Sequence, residues 1–219
     1  MKYFYVALCS IALSTLAFIA PAQSTDNESL YSHDVGFNTT FILSGVFNSG
    51  TTPFSLMYKK YNKNKNPLRL GVNIYANYTD VKENSPSNYS NTSDASFSAA
   101  IGKEFQKEIN QKWIWYFGGD IIPAYQYYDF EYKSTNIDYI QTTNNRSISL
   151  GFKPFLGIRF NINNRLYLST EFSFGPTYTY TWSKEESGYT GNISTNDTER
   201  GRINFAMSPA YGLFLFYRF

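Results

Sequence analysis

The amino-acid sequence predicts an all-β fold, namely an eight-stranded antiparallel up-and-down transmembrane β-barrel. Three observations lead to this prediction. Apolar and polar residues alternate with a period of two in eight separate segments, which is the pattern of a strand with two different faces. No run of about 18 apolar residues follows the first 22 positions, so no transmembrane helix is expected there. Short and long connectors also alternate along most of the chain, as in outer-membrane hairpins.

The first four segments are recognised by apolar residues at every second position. Small or polar residues such as Gly36, Ser55, Asn73 and Ser98 separate those positions. The apolar positions are Val35, Phe37, Phe41 and Leu43; then Phe54, Leu56 and Tyr58; then Leu68, Leu70, Val72, Ile74 and Tyr78; and finally Phe97, Ala99, Ile101 and Phe105.

The last four segments follow the same rule over a greater length. A membrane-spanning strand needs about 9–11 residues, so these longer segments predict strands that project beyond the bilayer on one side. Their apolar positions are Trp113, Trp115, Phe117, Ile121 and Tyr125; then Ile148, Leu150, Phe152, Leu156, Ile158 and Phe160; then Leu166, Leu168, Phe172, Phe174, Tyr178 and Tyr180; and finally Ile203, Phe205, Met207, Tyr211, Leu213, Leu215, Tyr217 and Phe219.

The composition excludes several classes of protein. Charged residues make up 16% of the chain and aromatic residues 19%, which is not the composition of a disordered protein. The formal net charge of +2 lacks the basic surplus that nucleic-acid binding needs, so we expect no nucleic-acid partner. The single cysteine, Cys9, excludes a disulfide framework and a zinc site built on cysteines. We expect neither a metal nor another cofactor.

The start of the chain predicts a secretory signal peptide. Lys2 is followed by an apolar stretch to about Ile19 and then by Ala20-Pro21-Ala22, which is the arrangement of a cleaved signal. A membrane anchor is the alternative, but no basic stop-transfer cluster follows the apolar stretch. The predicted parts of the chain are therefore the signal peptide at 1–22, a short periplasmic segment at 23–34 and the barrel at 35–219.

The connectors predict which strand ends share a side of the membrane. The third, fifth and seventh connectors are long, so they are expected to form three extracellular loops, with both termini on the side of the short turns. The short turns at 62–67 and 161–165 are rich in Asn, which tolerates turn conformations. The predicted connectors are 48–52, 62–67, 79–94, 106–112, 129–145, 161–165 and 183–202.

Alternation alone does not decide which face lies inside, and in a soluble lipocalin-like barrel the apolar face would point inward. Here the polar face is rich in Gly and Ser and carries both signs of charge, which favours a crowded interior. Aromatic residues also gather at both ends of the apolar face, as they do at the two interfaces of a bilayer. One predicted girdle contains Phe37, Phe105, Trp113, Phe160, Tyr217 and Phe219, and the other contains Phe47, Phe54, Tyr78, Tyr125 and Tyr180.

The end of the sequence carries a resemblance to a known class of protein. Tyr211, Leu213, Leu215, Tyr217 and Phe219 share one face of the last segment, which is similar to the assembly signal of Gram-negative outer-membrane barrels. Residues 31–219 as a whole resemble the small eight-stranded OmpA/OmpX-type barrels. The resemblance implies a location in the outer membrane, contact with its lipid and lipopolysaccharide, and insertion by the barrel assembly machinery.

Charged residues on the polar face predict the content of the barrel. An eight-stranded barrel is just wide enough for side chains to fill it, and buried charges are strongly destabilising unless they are paired. We therefore expect a structural plug, with Lys153 diagonal to Glu171, and an ion path is the alternative. Lys59 is a further candidate of uncertain register. The predicted interior charges are Arg69, Glu104, Asp120, Lys153, Arg159, Glu171 and Arg218.

The candidate catalytic chemistry is sparse. His33 is the only histidine, and it precedes the first predicted strand on the side of the short turns. A dyad of His33 with Asp34 is conceivable, but a solvated or girdle histidine is the simpler interpretation. The sequence contains no glycine-rich phosphate loop and no H-E-x-x-H motif, so we expect no enzymatic activity.

The sequence therefore predicts an integral outer-membrane protein with a structural or surface-interaction role. Aromatic residues of the long connectors would provide contact area for an extracellular ligand. These residues are Tyr128, Phe130, Tyr132, Tyr139 and Tyr189. A pore for ions or small solutes and an enzyme that modifies lipid A remain the alternative functions.

Overall fold

The computed structural model describes residues 31–39, 54–62, 66–82, 88–208 and 213–219. The predicted signal peptide at 1–22 lies outside the described residues, and so does most of the predicted periplasmic segment at 23–34. Tyr211 of the predicted assembly signal and the connector at 48–52 lie outside them as well.

Nine β-strands occur in the described parts of the chain, and every paired neighbour is antiparallel. None of these parts contains a helix that is long and apolar enough to cross a membrane. The strands are β1 His33–Asn38, β2 Phe54–Lys60, β3 Leu68–Lys82, β4 Asn88–Glu108, β5 Trp113–Ser134, β6 Tyr139–Asn161, β7 Leu166–Tyr189, β8 Asn192–Ser208 and β9 Leu213–Arg218.

The strands close into a ring of eight. Strands β1 to β7 pair in chain order, β7 pairs with β9, and β9 pairs with β1. These eight strands form the ring, and β8 pairs with β7 beyond β9. At the closing seam, the backbone N–H of His33 donates to the carbonyl of Phe219 at 3.0 Å, and the reverse bond is 2.9 Å. This topology confirms the predicted all-β, antiparallel, up-and-down arrangement.

The predicted last strand differs from the structure because it is divided into two. β9 pairs with Leu166–Thr170 at the start of β7, whereas β8 pairs with the part of β7 from Ser173 to Tyr189. Both strands therefore lie on the same edge of β7, one beyond the other. The residues between them, 209–212, lie outside the described residues.

The prediction of long loops at 79–94, 129–145 and 183–202 is wrong, because most of these residues extend the strands. The first of these connectors is reduced to 83–87, which lie outside the described residues, the second to the turn 135–138 and the third to the turn 190–191. These residues are polar and aromatic, and alternation weakens once both faces of a sheet meet water, although Tyr and Thr still favour strands. The two hairpin tips are joined, since the backbone N–H of Thr190 donates to the carbonyl of Asp138 at 2.9 Å.

Asparagine side chains close two short turns at the opposite end, namely the predicted asparagine turn at 161–165 and the turn 109–112, for which no asparagine role was predicted. The Asn110 side-chain oxygen accepts hydrogen bonds of 2.9 Å from the backbone N–H groups two and three residues later. Asn163 accepts two equivalent bonds of 2.8 Å. An asparagine that bonds the backbone just ahead of itself stabilises a tight turn, so both hairpins are closed locally.

Glycines on the inner face make room for aromatic rings. A Cβ atom added to Gly157 would lie 2.1 Å from Cζ of Tyr116, and one added to Gly36 would lie 2.4 Å from a ring carbon of Phe216. Both rings are only 1% exposed. The rings therefore lie directly against the backbone of a neighbouring strand, in space that any larger residue would occupy.

We expect Gly157→Ala to destabilise the protein by about 1–3 kcal/mol, because the new methyl group would displace the buried ring of Tyr116. The measurement is a denaturant titration followed by tryptophan fluorescence. Gly201→Ala is the control, because its nearest neighbour is the phenolic oxygen of Tyr178, whose side chain is half exposed and free to move aside. Equal losses in the two variants would contradict this account of the inner face.

Candidate functional site

Every strand of the ring contributes one charged side chain to a cluster in its interior. The cluster contains four cations and four carboxylates, so its formal charge is zero. It lies at the end of the ring where β1 begins and β9 ends. The residues of this interior cluster are Asp34, Lys59, Arg69, Glu104, Asp120, Arg159, Glu171 and Arg218.

Arg69 of β3 is the centre of the interior cluster. Its guanidinium binds Glu171 of β7 through two bonds of 2.8 and 3.2 Å. It also approaches Asp120 of β5 at 3.2 Å and Glu104 of β4 at 3.5 Å. The ring of Phe155 lies 3.9 Å from the guanidinium carbon and covers its face. One side chain thus connects four strands across the interior.

Lys59 of β2 is 1% exposed and lies in an aromatic enclosure. Its ammonium nitrogen is 2.7 Å from Glu104. The same nitrogen lies 4.6 Å from the ring centre of Phe216, 4.9 Å from that of Tyr116 and 5.9 Å from that of Tyr167. Because aromatic faces attract cations most strongly where water is excluded, these rings and one carboxylate replace the water that the ammonium loses.

Asp34 of β1 is fully buried and connects the first strand of the ring with the last one. The hydroxyl groups of Tyr61 and Tyr167 each donate to one of its oxygens at 2.6 Å. Its other oxygen lies 3.4 Å from Nε of Arg218 in β9. These contacts connect β1 with β7, with β9 and with the turn that follows β2.

Tyr61 connects the environment of Asp34 with that of Arg69. Its hydroxyl oxygen accepts bonds of 3.3 Å from Gln106 and from Arg159 of β6. Gln106 also donates to Glu104 at 2.6 Å, and Arg159 donates to Asn161 at 2.7 Å. Side chains from all parts of the ring therefore belong to one continuous hydrogen-bonded network.

The structure places six of the seven predicted interior charges in this network, and Lys153 is the exception. Lys153 pairs in register with Asp120, but within the described residues it makes no ion pair. The expected contact of Lys153 with Glu171 is wrong, because Arg69 binds that carboxylate. Counting across one turn identifies neighbours within a sheet, whereas Arg69 reaches Glu171 across the interior.

Asp34 lies in β1 and not in the predicted segment 23–34 before the first strand, and its role in the interior cluster was not predicted. The sequence pattern does contain this information, because Asp34, Gly36 and Asn38 occupy alternate positions on the inward face of β1. The alternative interpretation, a dyad of Asp34 with His33, does not form, since neighbouring residues of a strand point to opposite faces. His33 instead bonds the hydroxyl group of Tyr58 at 2.6 Å.

The described part of the predicted assembly signal lies on β9 and at its end. Leu213, Leu215 and Tyr217 alternate with the inward-facing Phe216, and Phe219 is half exposed. The ring of Phe219 stacks on that of His33, with 5.7 Å between their centres. Phe219 thus packs at the seam between β1 and β9 that closes the ring.

Among the described residues, no group of three or more His, Cys, Asp or Glu side chains is arranged to hold a metal ion. The carboxylates of the interior cluster are instead engaged with cations and hydroxyl groups of the chain.

No protein-family model and no curated protein matches the chain. Among solved structures, the chain is similar to the crystal structure of a major outer membrane protein from Thermus thermophilus. The two proteins share 12% sequence identity and superimpose with a TM-score of 0.38, over 86% of this chain and 98% of that chain. A likeness this weak does not show the function of the chain.

We expect Glu104→Ala to destabilise the protein by about 3–5 kcal/mol, because it leaves the buried ammonium of Lys59 without its carboxylate. The free energy of unfolding measures the loss. The control is Glu186→Ala, since Glu186 and Lys184 are also 2.7 Å apart but are exposed to solvent, where a pair contributes little. A double change of Glu104 and Lys59 to leucine and methionine should recover much of the loss, and strict additivity would contradict the pairing.

Proposed function

We propose that the protein is an integral outer-membrane β-barrel of a Gram-negative bacterium, with a plugged interior and a structural or surface-interaction role. In this proposal the ring of eight strands is the transmembrane barrel, and the signal peptide at 1–22 directs the chain across the inner membrane. The barrel assembly machinery inserts it, and outer-membrane lipid and lipopolysaccharide surround it.

The apolar outer face of the ring is the observation that carries this proposal. Large hydrophobic side chains on β3 to β7 are about half exposed, whereas the charges of the interior cluster point inward and six of the eight are buried. Soluble proteins rarely expose a continuous apolar patch of more than a few hundred Å², and this face continues from strand to strand. Its exposed members include Leu70, Ile74, Phe97, Ile101, Phe117, Ile121, Ile148, Leu150, Phe152, Leu156 and Tyr178.

The height of this apolar belt supports a bilayer as its partner. On β6 the belt extends from Phe160 to Ile148, which is about 40 Å along the strand at 3.3 Å per residue. At the tilt of about 40° that is usual for such barrels, this becomes about 30 Å along the axis, the thickness of a hydrocarbon core. Aromatic pairs lie near both limits, with Trp113 against Phe160 and Tyr180 against Trp182.

Beyond the end of the belt that faces the hairpin tips, which we call its upper limit, the outer face becomes charged. Lys133 pairs with Glu131 at 2.5 Å, and Lys184 pairs with Glu186 at 2.7 Å. The side-chain hydrogen bond with Glu186 raises the pKa of Lys184. These strand extensions are suited to an aqueous surface, which supports the assignment of the joined hairpin tips to the outside of the cell.

The hairpin tips provide the surface for the interaction role. The rings of Tyr132 and Tyr139 lie 6.5 Å apart, and those of Tyr139 and Tyr189 lie 5.7 Å apart. Aromatic side chains of this kind are the usual anchors of protein contacts. In place of the predicted long loops, the proposed contact surface is therefore a tied pair of hairpins.

The interior cluster supports a plug and not a channel. Lys59, Arg69 and Glu104 are at most 2% exposed, so solvent does not reach the middle of the network. The same closure supports the proposal that the protein is not an enzyme, because its buried carboxylates are out of contact with solvent. His33 lies at the seam beside Tyr58, away from the proposed extracellular side where a lipid A-modifying site would be expected.

We expect Leu150→Arg to destabilise the protein in lipid vesicles by about 2–4 kcal/mol, because the guanidinium would enter the hydrocarbon core. Ile137→Arg is the matched control, since both side chains are 57% exposed and Ile137 lies in the turn 135–138 beyond the belt. It should cause little loss. Denaturant titration in vesicles measures both, and similar effects at the two positions would contradict a lipid-facing belt.

We expect no single-channel conductance from the refolded protein in a planar bilayer, because the interior cluster closes the ring. Arg69→Ala combined with Glu171→Ala removes the central pair and should produce openings. Heat-modifiable gel mobility verifies that both proteins are folded. Discrete conductance steps from the unchanged protein would contradict the plug and support the pore.

A further inference from the structure

A pocket of about 290 Å³ lies at the end of β2, where the apolar belt ends on the side of the short turns. Two lysines and two asparagines are among the residues that line it. Asn62 is held in place by a hydrogen bond of 3.0 Å from the backbone N–H of Asn66. The residues that line the pocket are Lys60, Tyr61, Asn62, Asn66, Leu68 and Lys103.

The strand register brings the two lysines onto the same outer face. Lys60 of β2 pairs with Leu68 of β3, which in turn pairs with Lys103 of β4. Because neighbouring strands are about 4.8 Å apart, the two lysine backbones are separated by about 10 Å. Two flexible four-carbon side chains span that separation easily and can converge on one small anion.

Neither lysine has a carboxylate partner within the described residues. The adjacent Glu104 points inward and binds Lys59, and the described residues that line the pocket include no acidic side chain. By contrast, Lys133 and Lys184 on the extensions each pair with a glutamate. The pocket is therefore a concentration of positive charge whose counter-ion does not come from its own lining.

The pocket lies at the level where lipid headgroups begin. The next outward row on the same three strands is Tyr58, Leu70 and Ile101, which belongs to the apolar belt. The ammonium of Lys103 also lies 5.4 Å from the ring centre of Phe105, at the aromatic boundary of the belt. Lysines at such a boundary keep their stems on the apolar surface and their charges among headgroups.

We propose that this pocket binds the phosphate of an anionic phospholipid headgroup in the periplasmic leaflet, with Lys60 and Lys103 as its two cationic ligands. The proposal rests on the proposed membrane function, which places the pocket at the periplasmic interface. The phosphate supplies the missing counter-charge, while its acyl chains continue along the apolar row above. A bound lipid would connect the end of β2, at Lys60, with β4, at Lys103.

The test is lipid binding to the folded full-length mature chain by native mass spectrometry, with phosphatidylglycerol as the probe. Since each lysine near an anionic lipid contributes about a fivefold gain in affinity, Lys60→Gln and Lys103→Gln should each weaken binding about fivefold. The double variant should weaken it on the order of 25-fold. Lys112→Gln, an exposed lysine in the turn 109–112 at the same end, is the matched control and should bind normally.

A parallel titration with inorganic phosphate separates the two sources of the anion. Weak or absent competition by phosphate supports a lipid site, and competition at equal concentration overturns it. Unchanged lipid binding by a folded double variant also overturns the pocket, while the protein still inserts into vesicles. Failure of the unchanged protein to insert would instead contradict the membrane function itself. Lys63 and Lys65 are retained in every variant.

Discussion

The structure depends on the contact of Arg69 with three carboxylates inside a closed ring. A charge in that interior has lost its water, so its stability depends on partners from other strands. Glu171, Asp120 and Glu104 come from three different strands, and their positions are correct only when the ring has closed in one register. The network therefore stabilises the closed ring and disfavours shifted pairings, since a shift by one residue would turn each charge to the outer face.

Aromatic rings and glycines pack around the charges of the interior cluster. Lys59 is the one cation of the interior cluster enclosed by three rings, and two of these rings, Tyr116 and Phe216, lie against Gly157 and Gly36. Small residues on one strand thus accommodate large residues on the next, which is the close packing typical of protein interiors. The contacts of Asp34 continue this packing to the seam, where the first strand, β1, pairs with the last strand, β9.

The same alternation that fills the interior produces the outer surface. Each strand has one face for the polar network and one for the apolar belt, and the belt ends where outward residues become charged. At the upper limit these charges pair among themselves, as Lys184 does with Glu186. At the opposite limit, Lys60 and Lys103 have no such partner among the described residues that line their pocket, and this difference is the basis of the proposed phosphate site.

The sequence by itself determined most of the strands, the assignment of residues to two faces and the asparagine turn at 161–165, because each depends on residues close together in the chain. Alternation placed Arg69 and Glu171 on the inner face, and Asn163 predicted its turn. The alternation of apolar and polar residues did not reveal that 129–145 and 183–202 continue as strands, because this alternation is weak where both faces of a sheet meet water. Only the tertiary structure decided that Arg69, and not Lys153, binds Glu171. That choice depends on how far the strands slide past one another when the ring closes, a distance set by all eight registers together.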